Sequence, residues 1–422
     1  MRIALIVDHD VGLLCGASRQ FQSYADWLAD NGHDVLLVYP SPRRQRSAPR
    51  PGLGVHSIPA FPVPAYREYS LPLVPLAFDL WLRKRTFDVI HCETMNATLL
   101  FLGYWLRARS KTPMFNVLTA NLPYYAPILL PKDNILKRFV FAAGKALMNA
   151  VSNRIEGTFI LSEGTRKPLT EEFFRIDPGR VFSLLRPLDP VSFAARNAPC
   201  GLSPKYGIPA GRCLVTLSRL CRTKNVEFLI RAFARHIFPE DPSLHLIVAG
   251  DGPFEKGLRE LAAGLGCPHI HFPGRIPYPA VPAFLREADY FLYSSLSETF
   301  GNVVCEAKYG GAPVVALDDR GGVRSQVLDR KTGILVRRHD EADFGRRFFE
   351  LFRNPELQEE IRRQARQDVL VNHSPKKIYR ALVSIYEQTA RDGKPDPEMI
   401  RQAFTPDRSF LESRISAIKT HS

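Results

Sequence analysis

The sequence predicts an α/β protein of two Rossmann-like domains, each a parallel sheet covered by helices, facing one another across a cleft. Three observations carry this. Short β-branched runs alternate with helical patterns from end to end. At 422 residues the chain exceeds what one hydrophobic core usually serves. Midway, Leu188–Pro209 holds four prolines (Pro190, Pro199, Pro204, Pro209) and no periodicity, which reads as a linker.

In order, the first series of strands is Arg2–Val7, Val35–Tyr39, Val89–Cys92, Met114–Leu118 and Thr158–Leu161, with helical patterns at Ala17–Asn31, Ala97–Arg109 and Leu136–Val151. The second series is Cys213–Leu217, Leu244–Ala249, His269–Phe272, Tyr290–Tyr293 and Pro313–Ala316. A helical stretch, Lys376–Ala390, follows Pro375. The expected domains are therefore 1–187, a linker 188–209, a second domain 210–373, a C-terminal helix 374–391 returning to the first domain, and a polar tail 392–422, expected to be partly disordered. Ligands of Rossmann-like halves bind outside the carboxyl ends of the strands, so the loops there hold the candidate sites.

Composition narrows the function. Hydrophobic content of 45% with 24% charged residues describes an ordinary globular protein. No apolar stretch approaches the roughly 20 residues of a membrane-spanning helix. The start, MRIALIVDHD, reads as a first strand and not a signal peptide. Seven scattered cysteines without a CxxC pair read as reduced thiols in a cytoplasmic protein. The net charge is +14, and residues 1–187 hold 23 Lys/Arg against 15 Asp/Glu. A phosphorylated ligand, an anionic membrane surface or nucleic acid could use such a charge. No nucleic-acid-binding motif accompanies it. Arg43, Arg44, Arg46 and Arg50 fall in a Pro/Ser-rich stretch that reads as a loop, either solvated or touching a membrane.

The sharpest chemical signal is SETFGNVVCEAKYGG, Ser297–Gly311. A strand, a turn at Ser297–Gly301 and a helix from Asn302 place a helix N-terminus at a strand's carboxyl end, a ready phosphate site. Glu298 stands at the mouth and Glu306 eight residues later, suiting two hydroxyl-bearing parts of one long ligand. The bland alternative is a dipole-favoured acid plus a solvent-exposed helical glutamate. In VTLSRLCRTKN, Arg219 and Lys224 bracket the turn after another strand, where two cations can neutralise a diphosphate. Gly250 and Gly252 of AGDGP permit close approach of backbone to a ligand, and LDDRGG, Leu317–Gly322, is another backbone loop on that edge. His91 ends a buried strand, where a structural role is the more common one.

The order SRL-x3-K, AGDGP, SETFG-x4-EA-x3-GGAPVVA, GG and KTGILV resembles the C-terminal half of glycosyltransferase family 4, of GT-B fold, over nearly all of Leu214–Val336. The resemblance implies that Arg219 and Lys224 hold a nucleotide-sugar diphosphate, Glu306 the ribose and Glu298 the transferred sugar. It also implies that amides from Phe300 through Gly301, Asn302 and Val303 to Val304 meet sugar and phosphate, with no metal or other cofactor required. DHDVGLLCGASRQFQ, FDVIHCET and LTANLPYYAP resemble the members that glycosylate lipids or lipid-linked carriers. There Gly16 matches a glycine in the loop before the first helix, and Thr119, Asn121 and Tyr124 fall where acceptor or sugar contacts are expected. Two departures stand out: Thr119 occupies the place of a family histidine, and Gly321-Gly322-Val323-Arg324-Ser325 replaces Gly-Gly-x-x-Glu.

The expected activity is thus retaining transfer of a sugar from a nucleotide diphosphate to a hydroxyl acceptor, in the cytoplasm and including the inner face of the membrane. A GT-B-shaped binding protein with weakened turnover and a sugar-nucleotide epimerase are the alternatives. The former is motivated by Thr119 and Ser325; the latter needs acid/base pairs that the sequence does not display.

Overall fold

The computed structural model describes residues 1–8, 16–43, 45–63, 66–72, 82, 84–119, 135–188, 200–337 and 339–411. The chain divides into two compact units, Met1–Leu185 with Lys376–Thr405, and Arg186–Pro375 with Pro406–Ser422. The boundary thus falls two residues before the expected one. Residues 189–199 of the expected linker lie outside the described part, and the remainder contains a short helix, Leu202–Tyr206.

In the first unit, strands β1 (Arg2–Val7), β2 (Asp34–Ser41), β3 (Arg46–Arg50), β4 (Leu53–Val63), β5 (Tyr66–Pro72), β6 (Val89–Glu93), β7 (Met114–Leu118), β8 (Gly157–Ile160) and β9 (Val181–Ser183) form one sheet. Its order is β3-β4-β2-β1-β6-β7-β8-β9, with β5 on β4. The central pairs are parallel, for example Ile3 with Val35 and with Val89. Ile3 through Val7 are buried without a break, the mark of a strand covered on both faces. The covering helices are Gly16–Asp30, Ala97–Ser110 and Ile135–Ser152. Asn96 starts the second of them, its side chain accepting from Thr98 N and Leu99 N.

The basic stretch after β2 is not simply a loop. Arg46–Arg50 is an edge strand antiparallel to β4, and its Pro49 occupies the kind of position an edge tolerates. Arg50 donates to Asp26 at 2.8 Å and to Asp30, both on the first helix. These pairs are largely solvated, so their role is local arrangement more than stability.

The polar tail is likewise partly ordered. Helix Pro397–Phe404 follows Asp396, whose carboxylate accepts from Glu398 N and Met399 N, and it buries Ile400 and Phe404. The Phe404 ring meets Phe159 of β8 edge-on at 6.0 Å. With only eight residues and two fully buried anchors, its pattern was too short to read against the surrounding charge. Helix Pro375–Asp392 also joins the first unit. Tyr379 stacks on Tyr24 at 4.6 Å. Tyr24 donates to the Tyr386 hydroxyl at 3.2 Å, and Tyr386 in turn donates to Nδ1 of His91. His91 is therefore a buried structural residue, and burial holds the Tyr386 phenol protonated.

The second unit has six parallel strands: β10 (Cys213–Leu217), β11 (His245–Ala249), β12 (Ile270–Gly274), β13 (Tyr290–Tyr293), β14 (Val314–Leu317) and β15 (Ile334–Val336). Their order is β12-β11-β10-β13-β14-β15. Leu214, Leu246, Leu292, Val315 and Ile334 pack one face against Leu229, Phe233, Phe344 and Phe348 from the helices. Near the unit's two ends, His373 Nδ1 donates to Arg186 O at 2.8 Å, and Leu188 N donates to His373 O at 2.8 Å. Cys92, Cys200, Cys213, Cys221, Cys267 and Cys305 are unbridged.

Candidate functional site

In the second sheet the strands progress outward in both directions from β10 and β13, which lie side by side. Such a reversal opens a crevice beyond the carboxyl ends of the two strands. The loop leaving β10 carries Arg219 and Lys224; the loop leaving β13 carries Glu298. Hydrogen bonds stitch them together. Ser294 Oγ donates to the carbonyls of Lys224 and Asn225 at 2.9 Å each, and Leu296 N donates to Thr223 O at 2.9 Å. Asn225 adopts a left-handed conformation (φ 51°), which ends the turn Arg222–Lys224 and starts helix Val226–Ala232.

The stitching delivers Lys224 Nζ to the Glu298 carboxylate, an ion pair whose side chains are 18% and 12% exposed. Tyr293 OH, from the end of β13, donates to the same Glu298 oxygen at 2.7 Å. Burial alone would raise the Glu298 carboxyl. The Lys224 charge, with hydrogen bonds from Lys224, Ser295 and Tyr293, outweighs it and holds the group below the usual carboxylate range. Glu298 therefore stays ionised and can accept from hydroxyl groups. Burial, with Glu298 alongside, holds the Tyr293 phenol well above its ordinary value, so it remains a donor.

Helix Asn302–Gly310 begins directly after this turn. Gly301 precedes it in the left-handed region (φ 86°) and offers no side-chain cap. Its first amides and dipole thus point beyond the carboxyl end of β13. Glu306, in the second turn, is 8% exposed and has no hydrogen-bond partner among the described residues. The sequence alternative of a solvent-exposed helical glutamate is thereby overturned. Burial pushes its carboxyl up to about 7.

That shift has a consequence for stability. A carboxyl whose folded value lies above its unfolded value favours the fold while protonated, and loses that advantage as pH rises through the folded value. Glu306→Gln, permanently neutral, is expected to raise the unfolding midpoint at pH 8 and to leave it unchanged near pH 4. Spanning 4.5 to about 7, the effect at pH 8 is on the order of 3 kcal/mol. Urea unfolding at the two pH values checks it; an equal effect at both would contradict the burial argument.

The glycines of AGDGP are required by the packing of the chain itself. A Cβ on Gly250 (φ 126°) would fall 1.8 Å from Ser218 O, and one on Gly252 (φ 155°) 2.4 Å from Leu220 O. Their bareness lets the loop after β11 pack on the Arg219 loop, sealed by Leu220 N to Asp251 O at 2.8 Å and Phe254 N to Leu220 O at 3.0 Å. They shape the cation loop from behind.

The second unit thus brings together the Arg219 and Lys224 loop, Glu298, the helix start at Gly301, Asn302 and Val303, and Glu306. Arg219 is partly exposed; Phe300 is buried, its ring meeting His373 at 5.3 Å. Thr119 directly follows β7 in the first unit and is partly exposed. Gly16 is the first residue of helix Gly16–Asp30 and not in the loop before it. Asn121 and Tyr124 lie outside the described residues. Sequence reasoning missed Tyr293, Asp319 and Gln326. Only Asp319 had a local signal, an acid two residues before a turn glycine, whose carboxylate accepts from Gly321 N at 2.8 Å. Among the described residues no group of His, Cys, Asp or Glu side chains gathers where it could hold a metal ion.

Comparison with known proteins agrees with this arrangement. Residues 203–368 match the family described as "Glycosyl transferases group 1", and residues 15–184 the "Glycosyl transferase 4-like domain". EpsD of Bacillus subtilis (strain 168), which carries the name of a glycosyltransferase, is 32% identical over 67% of this chain and 72% of its own. The alpha-monoglucosyldiacylglycerol synthase of Streptococcus pneumoniae is 26% identical over 75% of this chain and 71% of its own. Among solved structures, Anabaena HepE in complex with UDP superposes with a TM-score of 0.70 at 18% identity, over 92% of this chain and 100% of that one. The sucrose-phosphate synthase of Thermosynechococcus elongatus gives 0.74 at 17% identity, over 92% and 98%. With both halves matched in order and the motifs of the second half assembled on one sheet edge, the chain belongs to glycosyltransferase family 4 and is a glycosyltransferase of the GT-B fold.

Proposed function

We propose that the protein transfers a hexose, with retention at the anomeric carbon, from a nucleotide-diphosphate donor to a hydroxyl of a lipid or lipid-linked acceptor. The observation that carries the donor assignment is the Lys224–Glu298 pair at the sheet's reversal point, beside an uncapped helix N-terminus. Lys224, Arg219 and the helix dipole supply the positive field in which a diphosphate can depart. That field replaces a metal ion, so turnover should be metal-independent. Glu298, held ionised, accepts from sugar hydroxyls, and Glu306 accepts from the ribose. The acceptor oxygen then bonds to the anomeric carbon on the face from which the diphosphate leaves. The departing phosphate oxygen takes the acceptor's proton. HepE, which superposes on this chain, was solved with UDP and with UDP-glucose, which supports a nucleotide-sugar donor.

A panel of nucleotide sugars tests the reading. Nucleoside diphosphate released only when acceptor is present, undiminished by a chelator, supports it. Binding without release, or interconversion of the donor, contradicts it.

The lipid acceptor rests on relatives and on the surface of the first unit. Besides the diacylglycerol enzyme, a GDP-mannose-dependent phosphatidylinositol dimannoside mannosyltransferase of Mycobacterium tuberculosis is 26% identical over 74% of this chain and 77% of its own. Among the described residues no helix is long and apolar enough to cross a membrane. The sequence offers two apolar and aromatic segments for a membrane surface, 61–82 and 124–130; in the first, Phe61 is 61% exposed, whereas Leu82 is fully buried core. Residues 124–130 lie outside the described part. Ile135 and Phe139 add 83% and 70% exposure, one turn apart, with exposed Arg138 between them. Apolar side chains beside cations suit an interface bearing anionic headgroups, at about 1 kcal/mol per cation. Sedimentation with phosphatidylcholine vesicles, with and without phosphatidylglycerol, should show binding only to the anionic vesicles and only at low salt. Protein remaining in the supernatant throughout would remove the membrane from the proposal.

A further inference from the structure

The turn Glu298–Gly301 belongs to no helix or strand, yet its backbone is gripped from one side by residues 319–326. Glu298 N donates to Asp319 Oδ2 at 2.8 Å, and Glu298 O accepts from Gly322 N at 2.8 Å. Two residues further, Gln326 Nε2 donates to Phe300 O and, at 3.1 Å, to Gly301 O. A Cβ on Gly322 would stand 2.6 Å from the Phe300 backbone, so only glycine allows so close a mould.

Both gripping residues are themselves anchored. Asp319 Oδ1 accepts from Gly321 N at 2.8 Å and Arg324 N at 3.2 Å. The Gln326 carbonyl accepts from Lys308 Nζ at 2.9 Å and from Thr332 Oγ1 at 3.1 Å. Lys308 is fully buried, its charge matched by Asp368, which Asn372 Nδ2 braces at 2.8 Å. A lysine ammonium is seldom buried so completely, and this ion pair spends its charge holding one main-chain carbonyl.

We propose that Asp319 and Gln326 are positioning residues with divided tasks, Asp319 aiming the Glu298 carboxylate and Gln326 fixing the start of helix Asn302–Gly310. The proposal rests on the reading of Glu298 as the sugar contact and of that helix start as the diphosphate contact. The division follows from where each one pulls. Asp319 holds the amide beside the Glu298 Cα, so its loss lets the φ of Glu298 drift, and the carboxylate swings at the end of the side chain. Gln326 holds the carbonyls of Phe300 and Gly301, and Gly301 O also accepts the first helical bond, from Val304 N at 2.9 Å. With Gln326 intact, the helix start stays in place when Asp319 is changed.

The test measures three things on the full chain: affinity for free nucleoside diphosphate by calorimetry, turnover of the complete nucleotide sugar, and the thermal midpoint. Asp319→Asn keeps the shape but turns an amide NH2 towards backbone donors. It is expected to lower kcat by roughly 10–100-fold while leaving nucleotide affinity unchanged. Gln326→Met keeps the length and removes the donor. It is expected to weaken nucleotide affinity by about 5–20-fold. Should Asp319→Asn fail to fold, Asp319→Ser, which retains one short acceptor, takes its place. Both variants shifting both readouts in step with their thermal midpoints would reduce the two residues to general scaffolding and overturn the proposal. So would wild-type turnover in Asp319→Asn. Glu298→Gln is the control: if it leaves turnover intact, the sugar-contact reading itself fails, whatever Asp319→Asn does.

Discussion

Replacing Lys224 by alanine is expected to lower sugar transfer by at least ~100-fold, through loss of a preorganised cation where negative charge develops. It should also destabilise the protein by about 3 kcal/mol, because Glu298 is left as a buried charge without its partner. Arg219→Ala should weaken nucleotide-diphosphate affinity, by about 1.5–3 kcal/mol for one charge-assisted hydrogen bond. The two effects of Lys224 separate in the double variant Lys224→Ala, Glu298→Gln. With no unpaired carboxylate remaining, stability should return towards the wild type, while turnover stays low. Urea unfolding and steady-state kinetics on the two single variants and the double variant check this. A double variant less stable than Lys224→Ala alone would mean that the pair does not behave as one unit.

Gly250→Ala should be the most damaging single methyl group in the second unit. Its Cβ would fall 1.8 Å from the Ser218 carbonyl oxygen, and the backbone sits at a φ of 126° that L-residues rarely adopt. Since the obstacle is backbone, relief requires moving the loop that carries Arg219. A loss of more than about 3 kcal/mol is expected, from strain and displaced backbone together. Nucleotide-diphosphate affinity should fall as well. Gly257, seven residues on in helix Glu255–Gly264, is the control, because a Cβ there meets nothing within 4 Å. Gly257→Ala should stabilise by about 0.5–1 kcal/mol. Thermal melts of the two variants decide; equal midpoints would refute the steric account of the AGDGP loop.

The parts of the fold legible in the sequence were those whose pattern is local. The buried parallel strands β1, β7, β10 and β13 announce themselves as short, mostly apolar runs between helical segments. Strand β3 did not, because Arg-Ser-Ala-Pro-Arg has no apolar face, and only the antiparallel partner β4 makes it a strand. Strand β15 is three residues long, too short for any periodicity, and became visible only as part of a family motif. In the site, residue types beside strand ends pointed to Arg219, Lys224 and Glu298, and the eight-residue spacing from Glu298 pointed to Glu306. That Lys224 would pair with Glu298 across 74 positions depends on the stitching of two loops. The burial of Glu306 depends on packing around a helix whose sequence reads equally well as half-exposed. The glycines of AGDGP were recognised as places of close approach, but which chain approaches them is a tertiary fact.

The return of Lys376–Thr405 to the first unit bears on how the chain is made. Residues 1–185 emerge from the ribosome complete in their strands but lacking the last two helices of their own unit. Until some 200 further residues have been synthesised, Tyr24 and His91 have no Tyr386 to bond, and the surface that Ile385 and Leu382 will cover stays bare. The sheet and core helices of the second unit all lie between Arg186 and Pro375, with only the stretch from Pro406 added later, so its core can close first although it is translated second. For the two cores, order of synthesis and order of closure are thus reversed. A nascent first unit released early, or expressed alone as 1–185, presents an unsealed apolar face that invites chaperones or aggregation.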